Sequence, residues 1–139
     1  MNLIFADSSA LAKLFLDESE SRTLERFLDQ GPPVAAAAIA RVEVLRALRR
    51  ASASPEAIEQ AIDYFEKIHL RRSTDELLDR AARLAPWTLR AIDAIHLATA
   101  LDFSPPPDLF LCYDQRLADA ARAHGLAVVA PGVDEVHEQ

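Results

Sequence analysis

Cysteine is nearly absent from this 139-residue chain: Cys112 stands alone. It cannot form an internal disulfide, which suits a reducing, cytoplasmic setting. Glycine is almost as scarce, with 3 residues. No glycine-rich phosphate loop or nucleophile elbow is present, which sets aside the commonest NTPase and covalent-hydrolase classes. Cys/His spacings of the zinc-binding kind are missing as well. The longest apolar run, Val34 to Ala40, is too short to cross a membrane. No cationic segment precedes Leu3-Ile4-Phe5 to mark a secretory leader. Positive charge is in deficit, with a net charge of −7, so passive adhesion to nucleic acid is disfavoured. A nuclease stays compatible with that charge, because carboxylates gathered around a metal inflate the acidic count. Arg41, Arg46, Arg49 and Arg50 form one basic cluster for such a contact.

Half of the residues are hydrophobic, and the length suits one ordinary domain, residues 1–139, with a real core. Abundant alanine and leucine favour helices. The run Asn2 to Ala6 reads as a buried strand that stops at Asp7, with Ser8 or Ser9 able to cap a helix that carries Leu11, Leu14 and Phe15. Taken alone, Asp7 itself reads equally well as a mere N-cap. A helix over Glu20 to Gln30 and a weak, alanine-rich strand over Val34 to Ala38 follow. The next helix, Ile39 to Arg50, carries Val42, Val44, Leu45 and Leu48. Ser54-Pro55 opens another helix, Lys67 to Arg72 has room for a short strand, and Ser73-Thr-Asp-Glu76 reads as a capping box. Asp108 to Tyr113 is a contiguous apolar strand ending at Asp114, where a helix begins that Gly125 stops. Ala127 to Ala130 is a last short strand. Strands alternating with helices indicate parallel β-α units.

The stretch Arg90 to Leu101 organises the site. Its apolar residues predict a largely buried helix, yet Asp93 stands among them. A buried carboxylate must be protonated, paired or bound to a cation. Asp7 and Asp114 each follow an apolar strand and precede a helix, which places both on one edge of a parallel sheet, where ligands bind. Glu43 lies near a helix start; alone it reads as a solvated residue paired with Arg46 or Arg50. Two carboxylates about 4 Å apart repel by roughly 4 kcal/mol at an effective dielectric near 20. Four acids in one pocket therefore call for a divalent ion, and oxygen-only donors favour Mg²⁺ or Mn²⁺. His96 reads as a core histidine bonded to backbone, and Cys112 as a buried small hydrophobe. Receiver domains share an Asp-ended strand, but the last strand here lacks their lysine.

Four blocks, Phe5-Ala-Asp-Ser-Ser-Ala-Leu-Ala-Lys-Leu, Arg41-Val-Glu-Val-Leu-Arg-Ala-Leu, Ile92-Asp-Ala-Ile-His-Leu-Ala-Thr-Ala and Tyr113-Asp-Gln-Arg-Leu-Ala, resemble the PIN-domain ribonucleases, and more narrowly VapC-type toxins of type II toxin–antitoxin systems. The blocks come in the family order and span nearly the whole chain. The resemblance implies a three-layer α/β/α fold with a central parallel sheet of four or five strands. It also implies Mg²⁺- or Mn²⁺-dependent endonucleolytic cleavage of RNA (tRNA, rRNA or mRNA), a homodimer, and a small VapB-like antitoxin. Asp7, Glu43, Asp93 and Asp114 match the family's acidic quartet. Ser9 matches a hydroxyl near the metal and Arg116 a basic position after the last acid. Cys112 replaces the usual Thr or Ser, losing a hydrogen bond near Asp114. The alternatives are a catalytically silent PIN-like binding or regulatory module, and a structure-specific DNA nuclease using the same acids.

Overall fold

The computed structural model describes residues 2–133. Its elements are β1 (Ile4–Ala6), α1 (Ser8–Ala12), α2 (Ser21–Asp29), β2 (Val34–Ala37), α3 (Ala40–Arg50), α4 (Pro55–Lys67), β3 (His69–Arg71), α5 (Asp75–Arg83), α6 (Ala91–Leu101), β4 (Leu109–Leu111), α7 (Gln115–Ala123) and β5 (Val128–Val129). The strands form one parallel sheet in the order β3-β2-β1-β4-β5. The chain therefore builds outward from β1 through β2 to β3, then returns to β1's other side. The gap between β1 and β4 is the point where the winding reverses, and the crevice beyond its carboxyl end is where such sheets bind ligands.

Period-two alternation divides the strands between two faces. Ile4, Ala6, Ala36 and Leu111 face a core shared with α1, α2, α3 and α4, whose Leu11, Leu24, Val44, Leu48 and Phe65 are buried there. Phe5, Ala35, Ala37 and Phe110 face a second core shared with α6 and α7 through Leu97, Ala100, Leu117 and Ala121. The rings of Phe5 and Phe110 stack there at 5.8 Å. These are the three layers expected, with five strands. The alanine-rich β2 holds despite its poor propensity because all four of its residues are buried. Ala35 and Ala37 present only methyl groups to α6, which lies across this strand.

Several local expectations are revised. Helix α1 is shorter than its apolar stripe implied, ending at Ala12, and its cap is Asp7 rather than Ser8 or Ser9. The cap of α5 is Thr74, whose Oγ1 accepts from Leu77 N, so Glu76 falls one position short of closing the box read at Ser73. Of the apolar residues of α3, Val42 is exposed, because Ala40, Val44 and Leu48 turn the other face of the helix to the core. Ser54 caps α4 as expected.

Gly125 ends α7 with φ +91°, and a Cβ placed there meets nothing within 4 Å. The strain of Gly125→Ala is thus conformational alone. It should destabilise by about 1 kcal/mol, visible as a small drop in urea midpoint with an unchanged m-value.

Candidate active site

β1 and β4 each end in an acid that turns the chain into a helix. Asp7 Oδ1 accepts from Ala10 N at 2.9 Å, and Asp114 Oδ1 accepts from Leu117 N at 3.0 Å. Both carboxylates are N-caps, for which Asp is a preferred residue. The bland reading of Asp7 as a cap is therefore true, but incomplete. Its carboxyl is buried and raised from 3.8 to about 6, mainly by desolvation, against the lowering bond from Ala10, while the charges of Asp93 and Asp114 push it further up. Asp7 and Asp114 thus feel one another across the β1/β4 crevice.

Asp93 arrives from the first turn of α6. It is buried, and its Oδ2 accepts from Arg90 Nε at 3.0 Å, so the buried charge is paired as its setting required. Glu43 arrives from the first turn of α3 and is half-buried. Its partner is neither Arg46 nor Arg50 but His96, whose Nε2 lies 2.7 Å from Oε1. Burial alone would raise the Glu43 pKa, but the bond and charge of His96, a bond from Ser8 and the charge of Arg90 bring it below its ordinary value.

His96 corrects the expectation of a backbone-bonded core histidine. It is buried, but its ring joins Glu43 and, at 3.4 Å, Ser8 Oγ. Its Nδ1 has no hydrogen-bond partner among the described residues. The signal available in the sequence was its spacing: three residues after Asp93 is one helical turn, so both project from the same side of α6.

A cavity of about 520 Å³ gathers Glu43, Asp93 and Asp114 with Ser8, Ser9, Lys13, Arg50 and Arg90. Ser9 lines this cavity. Arg116 is exposed and lines a different hollow, with Pro86, Thr88 and Leu89. Arg50 is the member of the basic cluster that reaches the cavity. Lys13 was not foreseen; its Nζ pairs with Glu18 and Glu20 at 2.9 and 2.7 Å and lies 4.8 Å over the Tyr113 ring. Cys112 is buried with its thiol pKa pushed far up, chiefly by desolvation. Its Sγ still donates to Asp114 O at 3.3 Å, so the bond expected to be lost survives in weaker form.

The donors fit a hard divalent cation by chemistry: carboxylates with hydroxyls beside them, and a buried Asp7 that feels the charges of Asp93 and Asp114. Glu43, Asp93 and Asp114 line this cavity, whereas Asp7 is buried and does not line it, so the acids do not converge as tightly as the sequence implied. Among the described residues, no three acidic, histidine or cysteine side chains are grouped closely enough to hold an ion as they stand. Each acid has an oxygen committed elsewhere: to a helix N–H in Asp7 and Asp114, to Arg90 in Asp93, and to His96 in Glu43.

The PIN domain family matches residues 4–130. The chain belongs to the PIN-domain family. Its relatives include Ribonuclease VapC46 of Mycobacterium tuberculosis, 40% identical over 132 residues that make up 94% of this chain and 99% of that protein. Ribonuclease VapC47 of the same species is 33% identical over 134 residues, covering 94% and 98%. Among solved structures, the Mycobacterium tuberculosis toxin VapC20, described as cleaving the sarcin-ricin loop, aligns with a TM-score of 0.73 at 20% identity, over 92% of this chain and 99% of that one. A toxin–antitoxin complex from Klebsiella pneumoniae aligns at 0.66 and 19% identity, covering 94% and 98%. Identities this low speak for the fold, and the sheet described above is that of a PIN domain. No helix among the described residues is long and apolar enough to cross a membrane.

Proposed function

We propose that this PIN domain is a Mg²⁺- or Mn²⁺-dependent endoribonuclease, the toxin of a VapBC-type pair, which hydrolyses RNA phosphodiester bonds. The observation that carries the reading is the gathering of Glu43, Asp93 and Asp114 around one cavity, with the buried Asp7 near enough to Asp93 and Asp114 to feel their charge. VapC ribonuclease relatives matched over almost their full length support it.

Asp7 and Asp93, the two most buried acids, are the direct ligands; Glu43 and Asp114 complete the charge and hold water. A bound ion would acidify water and stabilise charge growing on the phosphodiester. The protein's own part is positional. The helix N–H bonds fix Asp7 and Asp114 in orientation, His96 and Ser8 hold Glu43, and Ser9 adds a hydroxyl to the wall. Arg50 gives an otherwise acidic chain local attraction for a polyanion. Cytoplasmic residence, a homodimer and inhibition by a VapB-like antitoxin belong to the same reading. Exposed Leu78 and Trp87, which border one apolar hollow, give a second copy something to cover.

The test is cleavage mapping on total cellular RNA with purified protein, with Mn²⁺ and with EDTA, beside the Asp7→Ala variant. One or a few discrete cuts, present only for the parent with Mn²⁺, are expected. Cutting that persists in EDTA, or that falls on DNA and spares RNA, would sink the reading.

A further inference from the structure

Arg90 has contacts that the nuclease reading leaves unused. It is the N-cap residue of α6 but makes no side-chain capping bond. Its side chain is 68% exposed, against 9% for the Asp93 side chain it bonds. That bond uses Nε alone; the terminal guanidinium nitrogens make no hydrogen bond or ion pair with a described residue. Arg90 also lines the acid cavity beside Glu43 and Asp114, and its bond to Asp93, with the charges of Asp93, Asp114 and Glu43, raises its pKa further. With one partner so exposed, solvent screens the pair and weakens it. A divalent cation competing for Asp93 meets a weak opponent. A freed guanidinium is a planar fork shaped for two phosphate oxygens, which a lysine ammonium is not. Lys13, the other cation deep in this wall, is already held by Glu18 and Glu20.

We propose that Arg90 exchanges partners: its guanidinium neutralises Asp93 in competition with a divalent cation and, once released, binds an RNA phosphate at the cavity mouth. This rests on the nuclease reading, and it assigns the phosphate grip to the residue that also guards the ligand.

The experiment is Mn²⁺ titration calorimetry on the parent, Arg90→Ala and Arg90→Lys, with RNA cleavage rates at saturating Mn²⁺. Arg90→Ala should bind Mn²⁺ about fivefold more tightly, because a competitor worth up to about 1 kcal/mol is gone. It should nevertheless cleave about a hundredfold more slowly, because a charge-stabilising donor is gone. Arg90→Lys keeps a charge but not the fork, so it should stay near the parent in Mn²⁺ affinity while losing most of the cleavage. A merely structural Arg90 would not tighten metal binding. Equal or weaker Mn²⁺ affinity in Arg90→Ala, or parental cleavage in either variant, overturns the partner exchange and leaves the nuclease reading standing. A parent that neither binds Mn²⁺ nor cuts RNA overturns both.

Discussion

Asp93→Asn should keep the fold and lose RNA cleavage by about a thousandfold or more. The side chain is nearly isosteric, and Asp93 enters α6 at its first turn, where the backbone bonds that hold the helix do not depend on its charge. The partner it abandons, Arg90, is largely exposed, so no unpaired buried charge is left behind and the usual penalty for breaking a buried pair does not arise. The substitution also removes one of the charges that push Asp7 upward. Thermal stability without metal should therefore be unchanged or slightly higher. Activity behaves differently, because loss of one member of a charge-stabilising set costs a factor of about 10² to 10⁴ in turnover. Initial rates on the mapped RNA with Mn²⁺, together with circular dichroism, decide the matter. A folded variant cutting at the parent's rate removes Asp93 from the site.

Asp7→Asn should stabilise the EDTA-treated protein, by an amount that grows with pH. The folded carboxyl has a pKa of about 6 against 3.8 for the free group, so the folded state holds its proton more tightly than the unfolded state. An acid raised on folding lowers stability as pH rises. The penalty is absent below 3.8, grows between 3.8 and 6, and is complete above 6. The full gap corresponds to up to about 3 kcal/mol. Asparagine can still accept the Ala10 N–H as a cap, so the substitution relieves the penalty without undoing α1. At pH 8 in EDTA the melting temperature should rise by roughly 10 °C for a chain of this size; at pH 5 the gain should fall to about half. Added Mn²⁺ should stabilise the parent and not the variant. A variant no more stable than the parent at pH 8, or a gain independent of pH, would show that Asp7 is not a strained, buried acid. Here the residue that destabilises the domain is the one the chemistry requires.

The parts of the fold that were legible came from local grammar. Strands β1 and β4 announced themselves as apolar runs ending in an acid, and α6 as a helix too apolar to face water. Those signals were enough to set Asp7 and Asp114 on one edge of the sheet and Asp93 in a buried helix. Contacts that depend on how helices pack were not legible. Glu43 looked like a solvated residue because its partner, His96, lies 53 positions away. Only the packing of α3 and α6 around the sheet brings the two together. Helical spacing offered Arg46 and Arg50 as nearer partners for Glu43, and proximity in sequence misled. Arg116 follows Asp114 closely in sequence, and on α7 it lines the hollow beside Pro86. The caps slipped by a single residue at Asp7 and Thr74, where adjacent polar residues offered equivalent oxygens and only backbone conformation chose between them.

The alanines of β2 have a consequence for the chemistry. Helix α6 rests on Ala35 and Ala37, so the height of Asp93 above the sheet is set by the thickness of two methyl groups. A valine at either place would suit a strand better, yet it would lift the helix away from Asp7 and Asp114. The poorest strand in the sheet thus works as a shim, gauging the reach of a carboxylate it never touches.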